Sequence, residues 1–188
     1  LKADIPEIPD DKKKRFIDKF KVSPYEATIL VSDMETAKYF EEVVAKMGKN
    51  QDMKLAVNWI TGELFAVLNN KNLEITQSPI SAKNLAKLIN LIKNGTISGK
   101  IAKTIFELMM DGDIDPQIIV EEKGLKQESD PKALEALIDK IINDNREKAI
   151  EYKNGKEKLF GFFVGQVMKA SSGKANPQLI NEILKKKL

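Results

Sequence analysis

Residues 155–188 read GKEKLFGFFVGQVMKASSGKANPQLINEILKKKL, a stretch that predicts two helices joined by a tight, glycine-containing turn. The first helix carries Leu159, Phe160, Phe162, Phe163, Val164, Val167 and Met168. It is apolar around most of its circumference, so it is expected to be nearly surrounded. Gly161 and Gly165 lie on one face of it, and each costs about 1 kcal/mol of helix propensity relative to Ala. Close approach of a second helix or of a nucleic-acid backbone would compensate, and because Phe and Val flank both glycines, helix packing is read first. In the turn, Gly173 permits a positive φ at the end of one helix. Asn176 can cap the next helix, and Pro177 sits where its missing N–H costs nothing. The free amides expected at that N-terminus, with Lys169 and Lys174 close in sequence, have the character of a phosphate-sized anion site.

Charge points the same way. Lys153–Leu188 holds eight lysines and two acidic residues, a local balance of +6 in a chain whose net charge is +3. Residues 1–124 hold 18 basic and 19 acidic residues, net −1, and residues 125–188 hold 13 and 9, net +4. A polyanion-binding role therefore falls chiefly to the second part, with Lys153 and Lys156 as further basic candidates.

Upstream, capping residues and Pro or Gly punctuation recur at helix spacing, and no period-2 alternation is sustained, so the expected fold is all-α. Residues 1–9, with Pro6 and Pro9, read as a connector. Asp10 is the expected cap of a helix to about Phe20. Ser23-Pro24 opens a short helix to about Val31, and Ser32 with Glu35 forms a capping box for a helix through Met47, ended by Gly48. Asp52–Leu68 is the most apolar helix of this part. Its Trp59 lies on an apolar stripe and reads as core rather than as a base-stacking residue. Ser81 caps the next helix. Around Thr96–Lys100, Ser98 and the following amides could hold a phosphate near Lys100 and Lys103, or Ser98 could simply be an N-cap. Gly112 is the expected end of the helix that follows, and Asp115-Pro116 opens a short one. Leu125–Ser129 is polar and is expected to be the hinge between a helical linking domain, 10–124, and a small helical tail domain, 125–188.

Composition removes several function classes. The chain has no cysteine and no histidine, which excludes disulfides, thiol catalysis, Ser-His-Asp sites and the usual zinc ligand sets. No catalytic residue and no metal ligand is assigned; Glu63 and Glu107 lie mid-helix, where a solvated or capping role is expected. Aromatics make up 6% of residues, which favours phosphate contacts over base stacking. No apolar run approaches the roughly 20 residues that span a bilayer, so no membrane partner is expected. The start, Leu-Lys-Ala-Asp-Ile-Pro, reads as a chain cut from something longer, and an intracellular protein is the easier reading.

The 155–188 run resembles the carboxy-terminal signature of the B subunits of tRNA-dependent amidotransferases, a helical module shared with the small YqeY-type proteins. The resemblance extends through LAVNWITGEL (55–64), SPISAKNLAKLINLI (78–92), GTISGKIAK (95–103) and IVEEKGLKQ (119–127), and back to IPEIPDDKKKRFIDKF near the start. It therefore covers nearly the whole chain. It implies the linking and tail domains of a longer subunit, gripping the outer corner of a tRNA. The parent enzyme's ATP- and Mg²⁺-dependent phosphorylation and amidation of Glu-tRNA(Gln) or Asp-tRNA(Asn) would lie in sequence before Leu1. No cofactor and no catalysis are then expected of this part. The A and C subunits would bind through the missing portion, in the bacterial cytoplasm or an organellar matrix. The family's tail motif falls on Lys169, Gly173, Lys174, Ala175, Asn176 and Pro177, and its linking-domain turn on Gly95, Ser98, Gly99, Lys100 and Lys103. Ser171-Ser172 departs from the threonine-containing loop of the family but keeps a hydroxyl. The competing expectation is a helical tether or protein-interaction module that binds no RNA.

Overall fold

Proline and small polar caps set the helix starts. The computed structural model describes residues 7–48 and 52–188, and its named elements are all helical. Most of the expected connector therefore lies outside the described residues. Helix α1 (Pro9–Phe20) opens on Pro9 with Ile8 as an extended N-cap that makes no side-chain cap bond. Asp10 is thus not the cap: proline is pre-set for the first helical position, which moves Asp10 and Asp11 into the first turn, where their charge suits the helix dipole. α2 (Pro24–Leu30) has a full capping box between Ser23 and Glu26. α3 (Met34–Met47) is capped by Asp33 rather than Ser32. The Asp33 carboxylate accepts from the Thr36 amide at 2.7 Å and the Thr36 hydroxyl at 2.6 Å, a stronger acceptor than a serine hydroxyl could supply.

Two compact units result. One takes the described residues up to Lys93 together with Phe106–Gln117, and the other takes Asn94–Ile105 with Ile118–Leu188. This division by packing is interleaved in sequence, whereas the boundary expected near residue 124 is linear.

In the first unit the rings of Phe16, Phe20 and Phe40 lie 5.2–5.3 Å apart, joining α1 to α3. α3 packs on α6 (Ala82–Lys93), and the Tyr39 hydroxyl donates to the Ile80 carbonyl at 2.8 Å. The long apolar helix is broken into α4 (Met53–Asn58), a π-helical turn (Trp59–Leu64) and α5 (Phe65–Asn70). Trp59 is core, 5.5 Å from the Phe106 ring. Ser81 caps α6 through the Asn84 amide. α7 (Gly99–Met109) is followed not by a left-handed Gly112 but by Asp113 at φ 53°. Two hydrogen bonds hold that conformation: the Ser81 N–H donates to the Asp113 carboxylate at 2.9 Å, and the Asn84 side-chain amide donates to the Asp113 carbonyl at 2.7 Å.

In the second unit, α9 (Pro131–Asp144), α10 (Arg146–Lys153), α11 (Leu159–Ala170) and α12 (Pro177–Lys187) enclose a core that includes Leu134, Ile138, Phe163, Val167, Ile180 and Leu184. α11 is not surrounded as its composition suggests. Only Phe163 and Val167 are buried, and the other large apolar side chains are half-buried. Phe162 is partly covered by the Lys148 ammonium, 3.8 Å from the ring centroid, an arrangement that shields an aromatic face with a cation. α8 (Pro116–Glu122) ends at Gly124, φ 57°. The polar stretch that follows, expected as a hinge, is bonded on both sides. The Gln127 N–H donates to the Thr96 carbonyl and the Glu128 N–H to the Lys174 carbonyl, both at 2.6 Å, and the Asn176 N–H donates back to the Glu128 carbonyl at 3.0 Å.

Replacing Asp33 with Ala removes the α3 cap and is expected to cost about 1 kcal/mol at neutral pH. Burial alone would raise the Asp33 carboxyl, but hydrogen bonds from Thr36, Ser32 and Glu35 outweigh it and hold it below the usual range. A carboxyl depressed on folding stabilises above its unfolded pKa and loses that contribution as pH falls through its folded one. The stability gap between parent and Asp33→Ala, read from urea midpoints, should therefore close below about pH 4.

Candidate nucleic-acid interface

Within the second unit, Lys100, Gly165, Met168, Lys169, Ser172 and Gly173 line one open cleft of about 500 Å³. It joins two stretches that are far apart in sequence, the start of α7 and the end of α11. Lys100 and Lys169 are exposed, and among the described residues neither pairs with a carboxylate.

The α11 end is a Schellman turn. The Ser172 N–H donates to the Lys169 carbonyl at 3.1 Å and the Gly173 N–H to the Met168 carbonyl at 2.7 Å, the paired bonds of that motif. The left-handed residue just past the helix is Ser172, φ 53°, while Gly173, φ 77°, comes next. The sequence pattern puts Gly173 in the first of these places, but both residues leave the ordinary region. The Ser171 hydroxyl donates to the Met168 carbonyl and accepts from the Ala175 N–H, fixing the loop from within.

The anion site expected at the start of α12 is not open. Pro177 has no N–H, and the Asn176 carboxamide oxygen accepts from the Gln178 and Leu179 amides at 3.0 and 3.3 Å. The Ile180 amide bonds to the Asn176 carbonyl. The cap that makes the helix start legible is the same group that consumes its donors. Asn176 is therefore a helix cap in this fold.

At α7 the serine has the simpler of its two readings. The Ser98 hydroxyl accepts from the Ile101 N–H at 3.2 Å and its carbonyl from the Ala102 N–H at 2.9 Å, leaving the Gly99 and Lys100 amides as the outermost donors of that helix. Lys103 lies one turn further along α7, exposed. Lys174 is half-buried and contributes its backbone, accepting from Glu128 through its carbonyl. Lys153 and Lys156 do not line the cleft. They sit at and beyond the end of α10, and Lys156 pairs with Glu151 at 3.0 Å. Lys187 pairs with Asp139 at 2.7 Å. The +6 of the terminal stretch is thus partly neutralised.

Grouping the sequence by packing unit separates charge more sharply than cutting it at residue 124. The second unit holds 16 basic and 11 acidic residues, net +5, and the first 15 and 17, net −2. The gain comes from Lys100, Lys103 and Lys123, which join the basic unit and outweigh Glu121 and Glu122, which join it with them.

Met168 and Ser172 are the cleft residues that sequence reasoning missed. Met168 follows Gly165 by three residues, which places it on the same edge of α11, whereas Ser172 lies past the helix end, where helical spacing gives no signal. Gly161 and Gly165 are exposed, and a Cβ built on either meets nothing within 4 Å. Helix packing, the first reading for them, is therefore wrong: α11 turns this face away from the core.

A helical module with a basic unit and a lysine-flanked cleft is the class that fold and site define. The family model described as "GatB domain" matches residues 38–188, and the chain belongs to that family. It is 93% identical over all 188 residues to the B subunit of the aspartyl/glutamyl-tRNA(Asn/Gln) amidotransferase of Pelagibacter ubique (strain HTCC1062), and covers 38% of that protein. The B subunits of the same amidotransferase from Thioalkalivibrio sulfidiphilus and Rhodospirillum rubrum are 50% and 49% identical over the whole chain. The chain spans 38–39% of the length of these curated relatives. No helix among the described residues is long and apolar enough to cross a membrane.

Because nothing occupies the space beside it, Gly161→Ala should stabilise α11 by up to about 1 kcal/mol through helix propensity alone. Thermal unfolding monitored by circular dichroism should show a raised midpoint; a lowered one would mean that the glycine backbone is covered.

Proposed function

We propose that this chain is the tRNA-gripping part of the B subunit of an Asp/Glu-tRNA amidotransferase, and that the α7–α11 cleft holds the RNA backbone. The observation that carries this reading is the shared cleft. Lys100 and Lys169 come from the two turns to which the family resemblance assigns RNA contact, and they line one concave surface of the +5 unit. A lysine ammonium is a compact point charge suited to phosphate, and open glycine backbone at Gly165 and Gly173 lets a sugar-phosphate chain come close. No aromatic side chain lines the cleft, so contact there positions the RNA without reading its bases.

The donor set does not suit a magnesium ion, which takes carboxylate and water oxygens: the cleft offers two ammonium groups and no acid. ATP, Mg²⁺ and the transfer of ammonia to the mischarged aminoacyl group belong, in this reading, to the part of the subunit beyond these residues, as do contacts with the A and C subunits. This chain then contributes binding and orientation, in the bacterial cytoplasm or an organellar matrix, and no bond-making step.

Titration of an unmodified tRNA(Gln) transcript against the chain should show binding that weakens steeply with salt. Lys100→Ala and Lys169→Ala should each weaken it and each reduce the slope of log K against log salt by about one. Lys153→Ala, outside the cleft, should change the slope less. Absence of binding at low salt would leave the chain as a helical tether.

A further inference from the structure

Two lysines on different helices can share one ligand only if something fixes the distance between them. Lys100 lies in the first turn of α7 and Lys169 near the end of α11. What joins them is the stretch between α8 and α9. From consecutive residues it bonds one turn and then the other. The Gln127 N–H donates to Thr96, four residues before Lys100, and the Glu128 N–H to Lys174, five residues after Lys169. The Asn176 N–H donates back to Glu128, making Glu128 and Ala175 a parallel bridge pair, and the Gln127 side-chain amide reaches the Ala175 carbonyl at 3.4 Å. In an extended chain neighbouring N–H groups point to opposite sides, so adjacent residues can tie two different partners. The Glu128 carboxylate is itself engaged locally, accepting from the Asp130 N–H at 2.9 Å, which anchors the segment to the start of α9.

We infer that Gln127 and Glu128 are positioning residues, acting through their backbone N–H groups as a strap that holds the Lys100 turn and the Lys169–Lys174 turn against one another. The cleft is then not a property of either turn. It exists because a short polar segment spans the two chiefly through its peptide groups, the Gln127 side-chain amide adding one longer bond to the Ala175 carbonyl. The consequence for RNA binding rests on the reading of the cleft given above; the strap itself does not.

The test separates these two levels. The chain has no native cysteine, so spin labels can be placed at Lys100→Cys and Lys169→Cys alone and their separation measured by pulsed electron-electron resonance. Replacing the peptide N–H of residue 128 by an ester oxygen removes one donor and keeps the side chain; Glu128→Ala keeps the donor and removes the side chain. A narrow distance distribution in the parent that broadens in the ester variant and stays narrow in Glu128→Ala supports the strap. A distribution unchanged by the ester, or a Glu128 amide that exchanges with solvent as fast as a free peptide, overturns it. With tRNA(Gln) transcript as probe, the ester variant should lower affinity several-fold and flatten the salt slope by about one. It should also abolish the non-additivity expected between Lys100→Ala and Lys169→Ala when both face one ligand. Broadened distances with unchanged tRNA affinity would uphold the strap and reject the RNA reading of the cleft.

Discussion

One backbone pairing holds the second unit in its working shape: the Glu128 N–H on the Lys174 carbonyl at 2.6 Å, returned by the Asn176 N–H on the Glu128 carbonyl at 3.0 Å. Peptide groups must find partners when they leave water. A loop between two helices usually satisfies its own through turns or solvent. Here the α11–α12 turn and the α8–α9 connector satisfy each other, so the position of each constrains the other. The Schellman end of α11, the Asn176 cap of α12 and the Thr96 turn before α7 all meet at this point, and the lysines of the cleft are carried on the elements that leave it.

The division of charge follows from the same arrangement. A basic surface on a protein of nearly balanced composition requires acids to be placed elsewhere or paired. The fold does both. It sends Glu107, Asp111, Asp113 and Asp115 to the first unit, where Asp115 pairs with Lys87 and Asp113 accepts from Ser81. It leaves Lys156 and Lys187 paired at the edges of the second. What remains open is a smaller set of cations than the sequence total implies, two of which, Lys100 and Lys169, line the cleft.

Helix identity was legible because caps are local. Ser23-Pro24, Asp115-Pro116 and Asn176-Pro177 each combine a side-chain acceptor with a proline in the first turn, and each opens a helix as expected. The failures are equally specific. Asp33 displaced Ser32 because its carboxylate, the stronger acceptor, takes both the amide and the hydroxyl of Thr36 and so starts the helix one residue later. Asp113 took the left-handed place expected of Gly112 because bonds from Ser81 and Asn84, some thirty residues away in sequence, stabilise it. The π-helical turn at Trp59–Leu64 and the open face at Gly161 and Gly165 depend on what the rest of the molecule does or does not place beside them. The convergence of Lys100 with Lys169 was invisible for the deepest reason: the strap works through peptide groups, which every residue has.

Because residues 94–105 and 118–188 build one unit while 106–117 belong to the other, the cleft cannot be moved as a contiguous piece of chain. A tail excised at Leu125 would keep the Leu134, Phe163 and Ile180 interior and the whole α11–α12 turn. It would leave behind the Thr96 carbonyl and the Lys100 side chain. Grafted onto another protein, such a piece would carry the scaffold of α9–α12 and only one of the two turns that line the cleft.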